Sequence, residues 1–168
     1  MRGDKIEAVA KFVLRDTKTK FLGVFAKDQL PDINSLTFPC CFIANTDPAH
    51  LPGTHWVAFF LPSHSEHEFF DSYGLPPSTY GFTFPISSFN HARYQSIHSR
   101  ACGEHCIYYL YLRTHCTCTP SSYFSAKHPF LNDKKVHKWV KHILNNNIIP
   151  APRCTTNRCV QTCKCRNH

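Results

Sequence analysis

Cys102, His55 and Asp71 are the side chains of this sequence whose types and positions suit one reaction together. A thiol nucleophile needs a base to ionise it, a third group to orient that base, and N–H donors for the oxygen that becomes negative. Cys102 stands where a loop enters an apolar segment, Cys102 to Arg113, that reads as a buried helix. Unpaired N–H groups and the positive end of the dipole lie at such a start, and both favour a thiolate. Gly103 would let a substrate backbone approach closely, whereas Glu104 suits the first turn but opposes the thiolate. His55 opens a strand-like segment after Pro52-Gly53-Thr54, and Asp71 ends the next one sixteen residues on. If the two strands pair antiparallel, their open ends coincide and the carboxylate can fix the tautomer of His55. Gln95, seven residues before Cys102, offers a side-chain N–H that could join the Cys102 amide in holding an oxyanion. Each residue also has an ordinary reading. Cys102 could be a buried thiol like Cys106, His55 one of twelve histidines, Asp71 the first residue of the Asp71-Ser72-Tyr73-Gly74 turn, and Gln95 a surface amide. Their order and spacing together point to a cysteine protease with a Cys-His-Asp triad.

The elements that must position these residues follow from periodicity. Ile6, Val9, Ala10, Val13 and Leu14 recur at helical spacing within Asp4 to Arg15. Phe21 to Phe25 and Cys40 to Ala44 read as strands, the second one buried. From His55 to Leu61 the faces alternate, with His55, Val57 and Phe59 on one side and Trp56, Ala58 and Phe60 on the other. Glu68 to Tyr73 is the partner strand, ended by Gly74 and Pro76-Pro77; Phe82 to Ile86 and Arg93 to Ile97 are further strand candidates. Ser99 is placed to cap the helix that follows. The last helix is expected over Asp133 to Asn147, capped by Asn132, with Val136, Trp139, Val140, Ile143 and Leu144 facing inward. The expected fold is α+β, a mixed or antiparallel sheet packed against helices, with the nucleophile opening a buried central helix. Residues 1–150 form the expected protease domain and residues 151–168 a basic, cysteine-rich tail.

Composition narrows the function. The 168 residues include 42% apolar and 14% aromatic side chains, enough for one core, and only 18% charged. No apolar run is long enough to span a bilayer and no apolar stretch follows the polar N-terminus, so neither a membrane nor a secreted location is expected. Reduced thiols are the simplest expectation for the ten cysteines. A net charge of +8 favours acidic partners, nucleic acid above all. Lys134, Lys135, Lys138 and Lys141 on the last helix, with Arg153, Arg158, Lys164 and Arg166 in the tail, are the candidate residues for nonspecific DNA binding, set against a merely solvated helix face. The gaps between Cys154, Cys159, Cys163 and Cys165 are four, three and one residues, too irregular to favour zinc even with His115-Cys116-Thr117-Cys118 upstream. A flexible tail is the preferred reading there, then disulfides; no metal is expected, and no cofactor is required for the chemistry.

Several segments, in one order, resemble the adenain family of adenoviral cysteine endopeptidases. They are Phe21 to Phe25, Cys40 to Thr46, Gly53-Thr54-His55-Trp56-Val57-Ala58-Phe59, Phe70-Asp71-Ser72-Tyr73-Gly74, Gln95, and Ala101-Cys102-Gly103. The resemblance implies His55 as base, Asp71 as its orienting acid, Gln95 as oxyanion donor and Cys102 as nucleophile. It also implies cleavage of viral precursor proteins after small residues such as Gly, activation by DNA or by a viral peptide, and residence in the host nucleus or virion, with a monomer expected. Asp71 stands where adenain commonly has Glu; the related SUMO-specific proteases have Asp there. Phe89 to Tyr94 lacks the cysteine that would anchor a disulfide-linked peptide. Two alternatives remain: a protease that removes ubiquitin or a ubiquitin-like modifier, and an inactive nucleic-acid-binding protein on the same scaffold.

Overall fold

The computed structural model describes residues 1–115 and 119–150. Cys116, Thr117, Cys118 and all the tail residues named above, from Arg153 to Arg166, lie outside the described residues. The order of elements is α1 (Gly3–Leu14), β1 (Lys20–Phe25), β2 (Cys40–Asn45), β3 (Trp56–Leu61), β4 (Glu68–Phe70), β5 (Ser88–Phe89), α2 (Cys102–His115) and α3 (Pro129–Asn146), with short 3-10 turns between them. The fold is α+β: one five-stranded mixed sheet in the order β1-β2-β3-β4-β5, packed with three helices. β1 and β2 run parallel, β2, β3 and β4 antiparallel to their neighbours in turn, and β4 and β5 parallel.

The period-two alternation of β3 divides the core. Ala58 and Phe60 join Cys41, Ile43 and Phe70 beneath the helices, together with Ile6, Val9 and Val13 of α1. Val57, Phe59 and Leu61 join Phe42 and Phe69 on the opposite face. Among the described residues no α-helix contributes to that second face. Phe38, Phe82, Phe84 and Ile86 do so from irregular segments, beside Phe25 at the end of β1, which is where much of the aromatic content is spent.

This cover corrects two expectations. Phe82 to Ile86 is not a strand: its apolar side chains close the second core, while the short pairing strand is Ser88–Phe89. Arg93 to Ile97 is not a strand either. The Tyr94 and Gln95 N–H groups both donate to one acceptor, the Ser72 carbonyl, at 2.8 and 2.9 Å, a single point of attachment and not a run of paired residues. β4 also ends at Phe70, so Asp71 lies just past the strand. The last helix begins at Pro129, one turn earlier than expected. Asn132 is therefore not its cap but a buried residue within its first turns, donating to the Tyr94 and Ser125 carbonyls at 2.9 and 2.8 Å. Leu144 faces out, 42% exposed, rather than inward.

α2 is fixed at both ends. At its C-terminal end Arg113 forms an ion pair with Glu68 of β4, and the Tyr109 hydroxyl donates to the same carboxylate at 2.9 Å. Near its start, the Cys106 thiol donates to the Trp56 carbonyl of β3 at 3.3 Å. Gly103 packs against α1: a Cβ there would lie 2.6 Å from Ile6 Cδ1. Close helix packing therefore explains this glycine, rather than the approach of a substrate.

Candidate active site

His55 sits in the last position before β3. The Thr46 N–H donates to the His55 carbonyl at 2.9 Å, continuing the β2–β3 pairing by one residue. Gly53 precedes it at φ +82°, in a left-handed turn pressed against the Asn45 side chain, where a Cβ would stand 2.5 Å from Nδ2. The imidazole is thus anchored through its own backbone, with a side chain free to turn toward α2.

Nε2 of His55 meets Asp71 Oδ1 at 2.6 Å. The Asp71 carboxylate is fully buried and accepts three further bonds: from the Tyr73 N–H at 3.0 Å, the Leu75 N–H at 3.0 Å and the Tyr80 hydroxyl at 2.9 Å. Its main chain is clamped by Asn90, which accepts from the Asp71 N–H at 2.9 Å and donates to the Asp71 carbonyl at 2.7 Å. Asp71 also begins a turn, since the Gly74 N–H donates to its carbonyl at 2.9 Å. The two readings of this aspartate, turn former and partner of histidine, hold together. Burial pushes its carboxyl pKa up, but the bonds and charge of His55 and the two backbone N–H groups outweigh that and hold it below the ordinary value.

Cys102 is the first residue of α2 and is 7% exposed, as is His55. The helix entry is set by the Ala101 carbonyl, which accepts the His105 N–H at 2.9 Å. Ser99, expected as the cap, lies two residues before the cap position Ala101, its hydroxyl accepting the Ala101 N–H at 3.2 Å. Burial raises the Cys102 pKa, yet the hydrogen bond and charge of His55, with the Trp56 and Gly103 N–H groups, bring it below the usual thiol value. The same contacts act on His55. Burial lowers its pKa, but Asp71 and Cys102 together raise it to about 9. With Nε2 committed to Asp71, Nδ1 is the nitrogen left for sulfur. Both shifts act in the direction that favours a thiolate–imidazolium pair. Cys106, one helical turn on, has the opposite character: it is fully buried and desolvation drives its pKa well up.

Gln95 is buried beside this group. Its Nε2 donates to the Ser99 carbonyl at 2.7 Å and to the Tyr73 hydroxyl at 3.3 Å, and its Oε1 accepts from Ser72 Oγ at 2.6 Å. A cavity of about 400 Å³, bounded by Ser99, Arg100, Ala101 and Glu104, opens beside the start of α2.

The DNA candidates of α3 separate. Lys134, Lys138 and Lys141 are exposed. Lys135 is half-buried, its ammonium donating to the Tyr123 carbonyl at 2.8 Å. No group of three metal-ligating side chains occurs among the described residues, and no helix among them is long and apolar enough to cross a membrane.

Sequence reasoning missed Tyr80 and Asn90, which hold Asp71, and a second buried histidine–aspartate pair. His105 Nε2 meets Asp133 Oδ1 at 2.9 Å, while Asp133 Oδ2 accepts the Ser96 hydroxyl at 2.6 Å and the Ser96 N–H at 3.1 Å. Spacing along the chain carries no sign of contacts between segments this far apart.

No protein-family model matches the chain, and no curated protein matches it.

Proposed function

We propose that this chain is a cysteine endopeptidase of adenain type, with Cys102 as nucleophile, His55 as acid and base, and Asp71 as the group that orients His55. The observation that carries the reading is the continuous path from sulfur to imidazole to buried carboxylate at the open end of a helix. The Cys102 thiolate attacks the scissile carbonyl; the S–C bond forms and the π pair moves to oxygen. Backbone N–H groups at the start of α2 stabilise that oxyanion. As it collapses, the C–N bond breaks and the His55 proton passes to the leaving amine. Water then attacks the thioester, His55 takes its proton, and an acid product leaves with the thiolate restored.

The low exposure of Cys102 and His55 favours an extended chain with small residues at the scissile bond, such as Gly in a precursor protein. Polypeptide substrates follow, and a viral or virus-like setting follows from the resemblance. For DNA, the supporting observation is that Lys134, Lys138 and Lys141 are exposed on α3 while its one carboxylate, Asp133, is buried. Neutralising these three lysines should reduce the salt dependence of DNA binding by about three in log–log slope; an unchanged slope contradicts DNA contact through α3.

The experiment is cleavage of Gly-containing peptides beside fluorogenic ubiquitin and SUMO substrates, using wild type and Cys102→Ala. Peptide cleavage lost in a folded Cys102→Ala protein is the expected result. Cleavage of the modifier substrates alone would favour the modifier-removing reading. No cleavage at all by the wild type, with or without DNA, would overturn the enzyme reading.

A further inference from the structure

We propose that Tyr73 is a further catalytic residue, its hydroxyl donating a hydrogen bond to the oxyanion formed at Cys102, with the Gln95 amide bonded behind it. This rests on the endopeptidase reading. The first argument is the hydrogen-bond inventory of Gln95. A primary amide has two N–H bonds to give, and Gln95 directs them to the Ser99 carbonyl at 2.7 Å and the Tyr73 hydroxyl at 3.3 Å. Its carbonyl is taken by Ser72 at 2.6 Å. The Gln95 amide is therefore satisfied within the protein and has no hydrogen left over for a substrate.

The second argument is that the Tyr73 hydroxyl is only half used. It accepts from Gln95, and no acceptor among the described residues takes its own hydrogen. A phenol that accepts an N–H bond is polarised into a better donor, so Gln95 strengthens the group in front of it.

The third argument is place. The Tyr73 ring stacks on His55, with centroids 4.8 Å apart and planes 28° from parallel. Burial raises the phenol pKa, and the Cys102 charge raises it further, so the hydroxyl lies within the field of the sulfur and keeps its proton. Tyr73 is half-buried, leaving one side of the residue open to solvent. Its backbone N–H is bound to Asp71 at 3.0 Å, so the carboxylate that orients His55 also fixes the residue stacked on it. During attack the S–C bond forms and the carbonyl π pair moves to oxygen. Tyr73 then donates a hydrogen bond to that oxygen without transferring its proton.

The test is steady-state cleavage of a Gly-containing peptide by wild type, Tyr73→Phe, Gln95→Ala and the double variant, alongside inhibition by a peptide aldehyde, whose hemithioacetal carries the same oxygen. Tyr73→Phe keeps the ring and should lower kcat by about 100-fold with little change in KM, and should weaken the aldehyde but not an unreactive peptide of the same sequence. The pH dependence of Cys102 alkylation should stay as in wild type, because the ion pair is intact. Gln95→Ala should cost less than Tyr73→Phe, and the double variant should match Tyr73→Phe. Wild-type kcat in Tyr73→Phe, or a larger loss in Gln95→Ala, overturns the inference and returns the donor role to Gln95; the second comparison decides even if Tyr73→Phe folds poorly. A wild type that neither cleaves nor binds the aldehyde counts instead against the endopeptidase reading.

Discussion

Among the described residues, two buried histidine–aspartate pairs have nearly the same construction. In each, Nε2 meets an aspartate Oδ1, at 2.6 Å for His55–Asp71 and 2.9 Å for His105–Asp133. The difference lies at the other ring nitrogen. Nδ1 of His55 is left for the Cys102 thiol, whose hydrogen bond and charge act on the ring. Nδ1 of His105 has no hydrogen-bond partner, and that ring lies 5.1 Å from Phe124 in the core. His105 is 0% exposed and His55 7%. A carboxylate behind an imidazole orients it; a reactive group in front is what makes the pair chemical. The second pair instead joins elements: His105 belongs to α2, Asp133 to α3, and Ser96, bound to Asp133, follows Gln95 directly.

The largest expected effect comes from replacing the two rings in turn. His55→Phe should lower peptide cleavage by about 10⁴-fold or more, while His105→Phe should leave kcat within a few-fold, because no reacting atom touches it. Equal losses in two folded variants would erase the distinction between the pairs.

Asp133→Asn should act on stability. Burial raises the Asp133 pKa, but the bonds from His105 and Ser96 outweigh it and hold it below the ordinary value. Such a group stabilises the fold fully above the unfolded carboxyl pKa, and that contribution is lost as pH falls through the lower native one. Asp133→Asn should therefore cost about 2 kcal/mol at neutral pH, and the gap to wild type should close in acid. Denaturant titrations across pH check this; a gap that widens as pH falls would reverse the sign assigned to Asp133.

Much of the frame was legible from local pattern. The apolar spacing of α1 and the alternation of β3 reflect single faces turned to the core, and the loop-to-helix step at Cys102 is a local feature. The strand expectation at Phe82 to Ile86 failed because an apolar run marks burial, and burial there comes from capping the sheet's second face rather than from pairing. The start of α3 was misplaced because Asn132 is chemically suited to a cap but is spent on the Tyr94 and Ser125 carbonyls. Cys102, His55 and Asp71 were found through short segments that keep their order. The clamp of Asn90 on Asp71 and of Asp133 on Ser96 exists only after residues 19 and 37 positions apart have been folded together. The use of Gln95 against Tyr73 rather than toward open space is of the same kind.

The central claim is an ion pair between Cys102 and His55, and the pH dependence of Cys102 alkylation by iodoacetamide tests it most directly. With its pKa brought below the usual thiol value and that of His55 raised to about 9, Cys102 should react as a thiolate on the acid side of an ordinary cysteine. The rate should change again near pH 9 as His55 loses its proton, and His55→Phe should return the thiolate rise to the range of an ordinary cysteine. An alkylation curve that rises only near the ordinary thiol pKa and does not respond to His55→Phe would contradict the account.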